Sequence, residues 1–160
     1  MTALRAYRDA LATLLTTDAT FVAAVGALVG QNVTTVLKAN KPLGDIPTGT
    51  YPCWVIEAGD TNAASIMDGT QDYQTIGLSQ QSIVMECYLV LIWSDQDRDN
   101  ASGTRLELPY LLTQLFLRNS QPGGCEGAVV MQCQPDRGAN HPTQIWRARI
   151  ASDHSIPSSG

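Results

Sequence analysis

This chain is short of charge. Asp, Glu, Lys and Arg make up 16% of its 160 residues, against roughly a quarter in an average soluble domain. A surface so poor in charge has room for subunit contacts. Cations are the scarcer sign: the net charge is −5 and the sequence pI about 4.8. That balance argues against a nucleic-acid-binding surface, which needs Lys and Arg concentrated in a patch. Histidine occurs only at His141 and His154, neither in metal-ligand spacing with cysteine or acid. The four cysteines, Cys53, Cys87, Cys125 and Cys133, form no C-x-x-C pair. They read as reduced thiols, packed as small hydrophobes, rather than as a disulfide or zinc framework. No stretch approaches the ~20 apolar residues of a membrane span, and no basic start with a long apolar run marks a signal peptide. Assembly in the cytoplasm is therefore expected, with no membrane partner.

Catalytic signatures are missing as well. "GLSQQS" around Ser79 lacks the G-x-S-x-G elbow, and no glycine loop is built to cradle phosphate. No spacing singles out a Cys–His nucleophile pair. The expectation is a protein without enzyme activity, metal or cofactor.

What is present is a regular alternation of elements. Leu4, Tyr7, Leu11, Leu14 and Leu15 form one helical stripe over Thr2–Leu15. Thr17 or Asp18 opens a second, short helix with Phe21, Val25 and Leu28 on one side. Pro42, Gly44, Pro47 and Gly49 mark a loop. Tyr51–Ala58 and Ser82–Trp93 read as strands. In the second of these every odd position from Ile83 to Trp93 is apolar. A helix follows, roughly from Ser102 to Arg118, with Leu108, Leu111, Leu112, Leu115 and Phe116 on its apolar face and Pro109 an awkward residue inside it. Glu126–Gln134 and Thr143–Ser152 are two further strands, with apolar sets Val129, Met131, Cys133 and Trp146, Ala148, Ile150. The pattern predicts one two-layer α+β domain over residues 1–154: a small, mainly antiparallel sheet with helices packed on one face. Residues 155–160 are expected to form a flexible C-terminal tail.

"WSDQDRDN" ends the best strand in three aspartates, Asp95, Asp97 and Asp99. They match positions one, three and five of an EF-hand loop. Position six is then Asn100 instead of Gly, and position twelve Leu106 instead of Glu. The simpler expectation is a helix start, where acidic residues cap and complement the positive end of the dipole.

Strand parity also sorts the outer face. With Trp54, the odd positions of Ile83–Trp93 and Trp146 turned to the helices, Glu57, Glu86, Tyr88, Arg147 and Arg149 share the opposite side with Val55, Val84, Val90 and Ile92. That side is too apolar for open water, and neighbouring subunits are expected to cover it. Between the two strands, Gly59–Gln80 is too long for an idle loop. Its spaced apolar residues Ile66, Met67, Tyr73, Ile76 and Leu78 are expected to anchor on a neighbouring subunit or another partner.

The order from "MTALRAYRDALATLL" through "SIVMECYLVLIWSDQDRDN" and "LELPYLLTQLFL" to "QIWRARIAS" resembles the tail terminator (tail completion) proteins of long-tailed bacteriophages. The likeness lies in size and element order across most of the chain; the second short helix and Pro109 depart from it. It implies a structural virion protein that assembles as a hexameric ring at the tail–neck junction. Such a ring caps the tail tube, stops its polymerisation and joins it to the head–neck connector protein. DNA would only pass through the lumen, which an acidic ring suits. The alternatives are another head–tail connector or a tail tube subunit, and, outside structural proteins, a small calcium-binding module or hydrolase.

Overall fold

The computed structural model describes residues 3–38, 43–62 and 80–157. Three helices lie on one face of a single five-stranded sheet, an α+β fold. The helices are α1 (Ala3–Thr17), α2 (Ala19–Val29) and α3 (Arg98–Arg118); the strands are β1 (Val36–Leu37), β2 (Cys53–Asn62), β3 (Gln80–Ser94), β4 (Gly127–Pro135) and β5 (Thr143–Pro157). Sheet order is β1-β2-β3-β5-β4. β1 pairs parallel with β2, and every other pairing is antiparallel.

The helix boundaries follow from local chemistry. Asp18 donates its N–H to Leu14 O at the end of α1 and accepts from Phe21 N (3.0 Å) to cap α2. Gly30 closes α2 in the left-handed region (φ 92°), a conformation open to glycine, and returns its N–H to Gly26 O. α3 begins at Arg98, four residues earlier than the apolar spacing suggests, because Asp97 accepts from both Asp99 N and Asn100 N. It continues through Pro109.

Parity holds in the core. Trp54 and Ile56 of β2, Cys87, Leu89, Leu91 and Trp93 of β3, and Trp146, Ala148 and Ile150 of β5 are all buried in one cluster with Tyr7, Leu11 and Leu15 of α1, Phe21 and Val25 of α2, and Leu108, Leu112, Leu115 and Phe116 of α3. Phe21 stacks on Trp54 with centroids 5.9 Å apart. Each large side chain so buried contributes on the order of 1.5–3 kcal/mol relative to exposure. No single helix among the described residues is long and apolar enough to cross a membrane; only α1 with α2, bent by 66°, meets such a length and composition test.

Two expectations need correction. Val129 and Met131 do not face the core but are 55% and 52% exposed, while Ala128 and Val130 pack inward. A bulge between Val130 and Gln132 breaks the alternation, so Cys133 returns to the inner side. The C-terminal segment is not frayed from residue 155: β5 runs to Pro157, pairing Ser155, Ile156 and Pro157 with Ser82, Gln81 and Gln80. Residues 158–160 lie outside the described part.

Candidate interaction face

The outer side of the sheet has two halves. In the first, the backbone register sets Glu57, Tyr88 and Arg149 in one row across β2, β3 and β5, with Val55, Val90 and Arg147 in the next. Arg147 reaches back over its neighbours. Its guanidinium carbon stands 5.1 Å from the Tyr88 ring centre, and its Nη2 donates to Glu57 Oε2 at 3.0 Å. Arg149 Nε lies 3.8 Å from Glu86 Oε2, an ionic contact beyond hydrogen-bond reach, and that Nε is buried without a hydrogen-bond partner among the described residues. The five residues singled out from parity are thus brought together as a ladder of two ion pairs around one aromatic ring. With Arg147 43% exposed, its pair with Glu57 is worth at most about 1 kcal/mol. The chemistry is that of a polar patch paired within the chain, with the Tyr88 ring covered by a cation.

The second half is closed by the chain itself. Ile46, carried between the short 3-10 turns Leu43–Asp45 and Thr48–Thr50, is 4% exposed and packs on Cys53, Val55, Val90 and Ile92, with Leu37, Tyr51 and Ile145 around it. Neighbouring subunits are therefore not needed to cover Val55, Val90 and Ile92. A proline- and glycine-containing loop supplies the layer that its sequence gave no periodicity to predict.

Toward the β2–β3 connection the outer face is open. A shallow cavity of about 320 Å³ is lined by Val84, Val129 and Ala151 with Glu126 and Asp153. Here β2 carries a bulge between Ala58 and Thr61. Gly59 sits inside it: a Cβ at that position would fall 2.7 Å from Glu86 O, so only glycine lets the strands approach so closely. Ile66, Met67, Tyr73, Ile76 and Leu78 lie outside the described residues.

At the other end of the sheet the aspartate comb holds backbone together. Asp95 Oδ1 accepts from Asp97 N (2.9 Å) and Asp95 Oδ2 from Asn100 Nδ2 (2.7 Å), while Asp97 caps α3. Beneath it, Arg105 Nη2 donates to Asp136 Oδ1 (3.1 Å) and to Gln144 Oε1; buried Gln144 donates to Asp95 O and approaches His141 Nδ1 at 3.1 Å. This network ties α3 to the β4–β5 turn. Among the described residues no group of three or more His, Cys, Asp or Glu is placed to hold a metal ion. All four cysteines are free. Burial pushes the Cys53 thiol up to about 11 and the Cys87 thiol up to about 12, and raises Cys125 and Cys133 too, so each is a poor nucleophile near neutral pH.

Parity reasoning passed over a second exposed surface. Leu106, Tyr110 and Leu117 on α3 are 77%, 61% and 78% exposed, and Leu117 shares a groove of about 410 Å³ with Val129 on the edge strand β4. The signal is present in the sequence as a second apolar set at i, i+4 and i+11, turned away from Leu108, Leu112 and Leu115. Compared with known proteins, the chain matches no family model and no curated protein.

Proposed function

We propose that this chain is a structural protein of a long-tailed bacteriophage: a tail terminator whose hexameric ring caps the tail tube, stops its polymerisation and joins the tail to the head–neck connector. The observation that carries this reading is the long β2–β3–β5 ladder. β3 and β5 pair over their full lengths, from Gln80 with Pro157 to Ser94 with Thr143, and β2 accompanies them to Asn62. Residues 63–79 thus connect two strands of one three-stranded ladder, the kind of base that a contact element reaching a neighbour needs. The exposed apolar residues of α3 and β4 and the low overall charge support self-association as well. The net negative charge suits a lumen that DNA traverses without sticking. No step of this function needs a catalytic residue or cofactor.

Copy number on the tail tests the reading. Closed rings arise from heterologous contacts whose rotation closes, and a cap on a six-fold tube is expected to share its symmetry. A reconstruction of assembled tails should show one hexameric layer of this chain at the head-proximal end. A single copy there would defeat the proposal, and growth of the purified chain into long fibres would make it a tube subunit instead.

A further inference from the structure

The outer side of α3 carries a regular seam. Leu106, Tyr110, Thr113 and Leu117 follow one another at spacings of four, three and four residues, and all are exposed, while Leu108, Leu112 and Leu115 fill the core on the other side. That is the a/d spacing by which two helices pack side by side. None of the four is charged. The two polar side chains are already engaged within the helix: Thr113 Oγ1 donates to Pro109 O at 2.7 Å, and Tyr110 Oη accepts from Gln114 Nε2 at 2.9 Å. Burying the seam therefore strips water from few unpaired polar atoms.

The seam ends in a hole. The groove of about 410 Å³ beside Leu117 is bounded on the helix side by Thr113, Phe116, Leu117 and Ser120, spaced i, i+3, i+4 and i+7, and on the far side by β4 at Ala128, Val129 and Val130. Four residues at that spacing form the hole into which a side chain of a facing helix inserts in knobs-into-holes packing. The same helix offers the matching knob, exposed Leu106, about 16 Å from Leu117 along the axis. A helix cannot seat its own knob, but a second copy laid antiparallel can. With Leu106 over the middle of residues 113–120, Tyr110 falls against Thr113 of the second copy, and the contact repeats itself about a two-fold axis. A parallel pair would set knob on knob and hole on hole.

We infer that two copies of this chain pair through α3, antiparallel across a two-fold axis, with Leu106 of each seated in the Thr113–Ser120 hole of the other. The contact is isologous, so it stops at two. It goes beyond the ring reading and does not depend on it: closing a ring takes a heterologous contact on another part of the surface.

Sedimentation equilibrium of the full chain over the micromolar range tests it, with circular dichroism to confirm folding; Leu106 and Leu117 are exposed, so substituting them spares the core. Wild type should pair, and Leu106→Glu and Leu117→Glu should each weaken pairing by about a hundredfold, because the two-fold repeats each substitution. Cysteine crosslinking reads the direction of the helices, in a Cys133→Ser background that removes the one cysteine not fully buried. On mild oxidation a mixture of Leu106→Cys with Leu117→Cys should crosslink, and neither variant should crosslink to itself. A wild type monomeric throughout that range, its seam left to some other protein, would overturn the pairing. So would a Leu106→Glu variant that pairs like wild type, or Leu106→Cys crosslinking to itself and not to Leu117→Cys.

Discussion

The Nε2 of His154 lies 2.8 Å from the Oγ of Ser152 two residues earlier on β5, with both side chains buried. Ser152 also donates to Met85 O at 3.3 Å, and the Tyr7 ring meets the imidazole edge-to-face at 4.7 Å. Burial lowers the His154 pKa from 6.5, partly opposed by Asp153. The unfolded chain therefore takes up this proton at a higher pH than the folded one. His154 contributes stability that is present above 6.5 and lost as pH falls from there through the folded value. Asp9 and Asp18 are held below 3.8, chiefly by hydrogen bonds from Lys38 and Arg118, and lose their contribution only in a more acid range. Urea unfolding at a series of pH values should show stability declining as pH falls below 6.5 in wild type and a flatter profile in His154→Gln. Parallel profiles would remove His154 as the cause.

Asp97 makes a separable contribution. Asp97→Ala should cost about 1 kcal/mol through loss of the α3 cap, whereas Asp97→Asn should cost only a few tenths, since asparagine caps as well. Replacing Asp95, Asp97 and Asp99 together by Asn should leave the fold intact. Thermal unfolding with and without calcium checks both points: a calcium-dependent rise in Tm that the triple variant loses would return the comb to metal binding.

Two neighbouring glycines separate close packing from backbone strain. Gly123 (φ 64°) lies against α1, where a Cβ would fall 2.8 Å from Tyr7 Cα; Gly124 (φ 78°) has open space around that position. Gly124→Ala should cost about 1 kcal/mol for its left-handed backbone alone. Gly123→Ala adds overpacking of about 1–3 kcal/mol. Equal Cm shifts in denaturant would mean that α1 yields freely at this contact.

The inner face was legible because a strand alternates with a period of two and β3 keeps that period without interruption from Ile83 to Trp93. The same parity placed Glu57, Glu86, Tyr88, Arg147 and Arg149 on one side. It misled in β4, where the bulge after Val130 shifts the alternation by one residue and no local residue type marks the shift. It had nothing to say about Ile46, whose loop has no period; its burial depends on Val55 and Val90 being beneath it. β1 was missed because two residues make no pattern and its pairing comes from β2.

The segment between β2 and β3 gives the terminator reading a direct genetic test. Replacing Asn62–Thr75 by a short Gly-Ser bridge should leave the fold standing, because loop length changes closure entropy only slowly, about 0.6 kcal/mol per doubling. Capping should be lost, leaving overlong or headless tails under the electron microscope. A folded, shortened protein that still gives normal tails joined to heads would show that this segment is not the contact.

The length distribution of tail tubes, measured by electron microscopy as they polymerise in the presence and absence of the purified chain, tests the proposed function most directly. With the chain present, tubes should stop growing and carry one ring at the end distal to the tail tip. Tubes that lengthen at the same rate and bear no ring at saturating chain would contradict it.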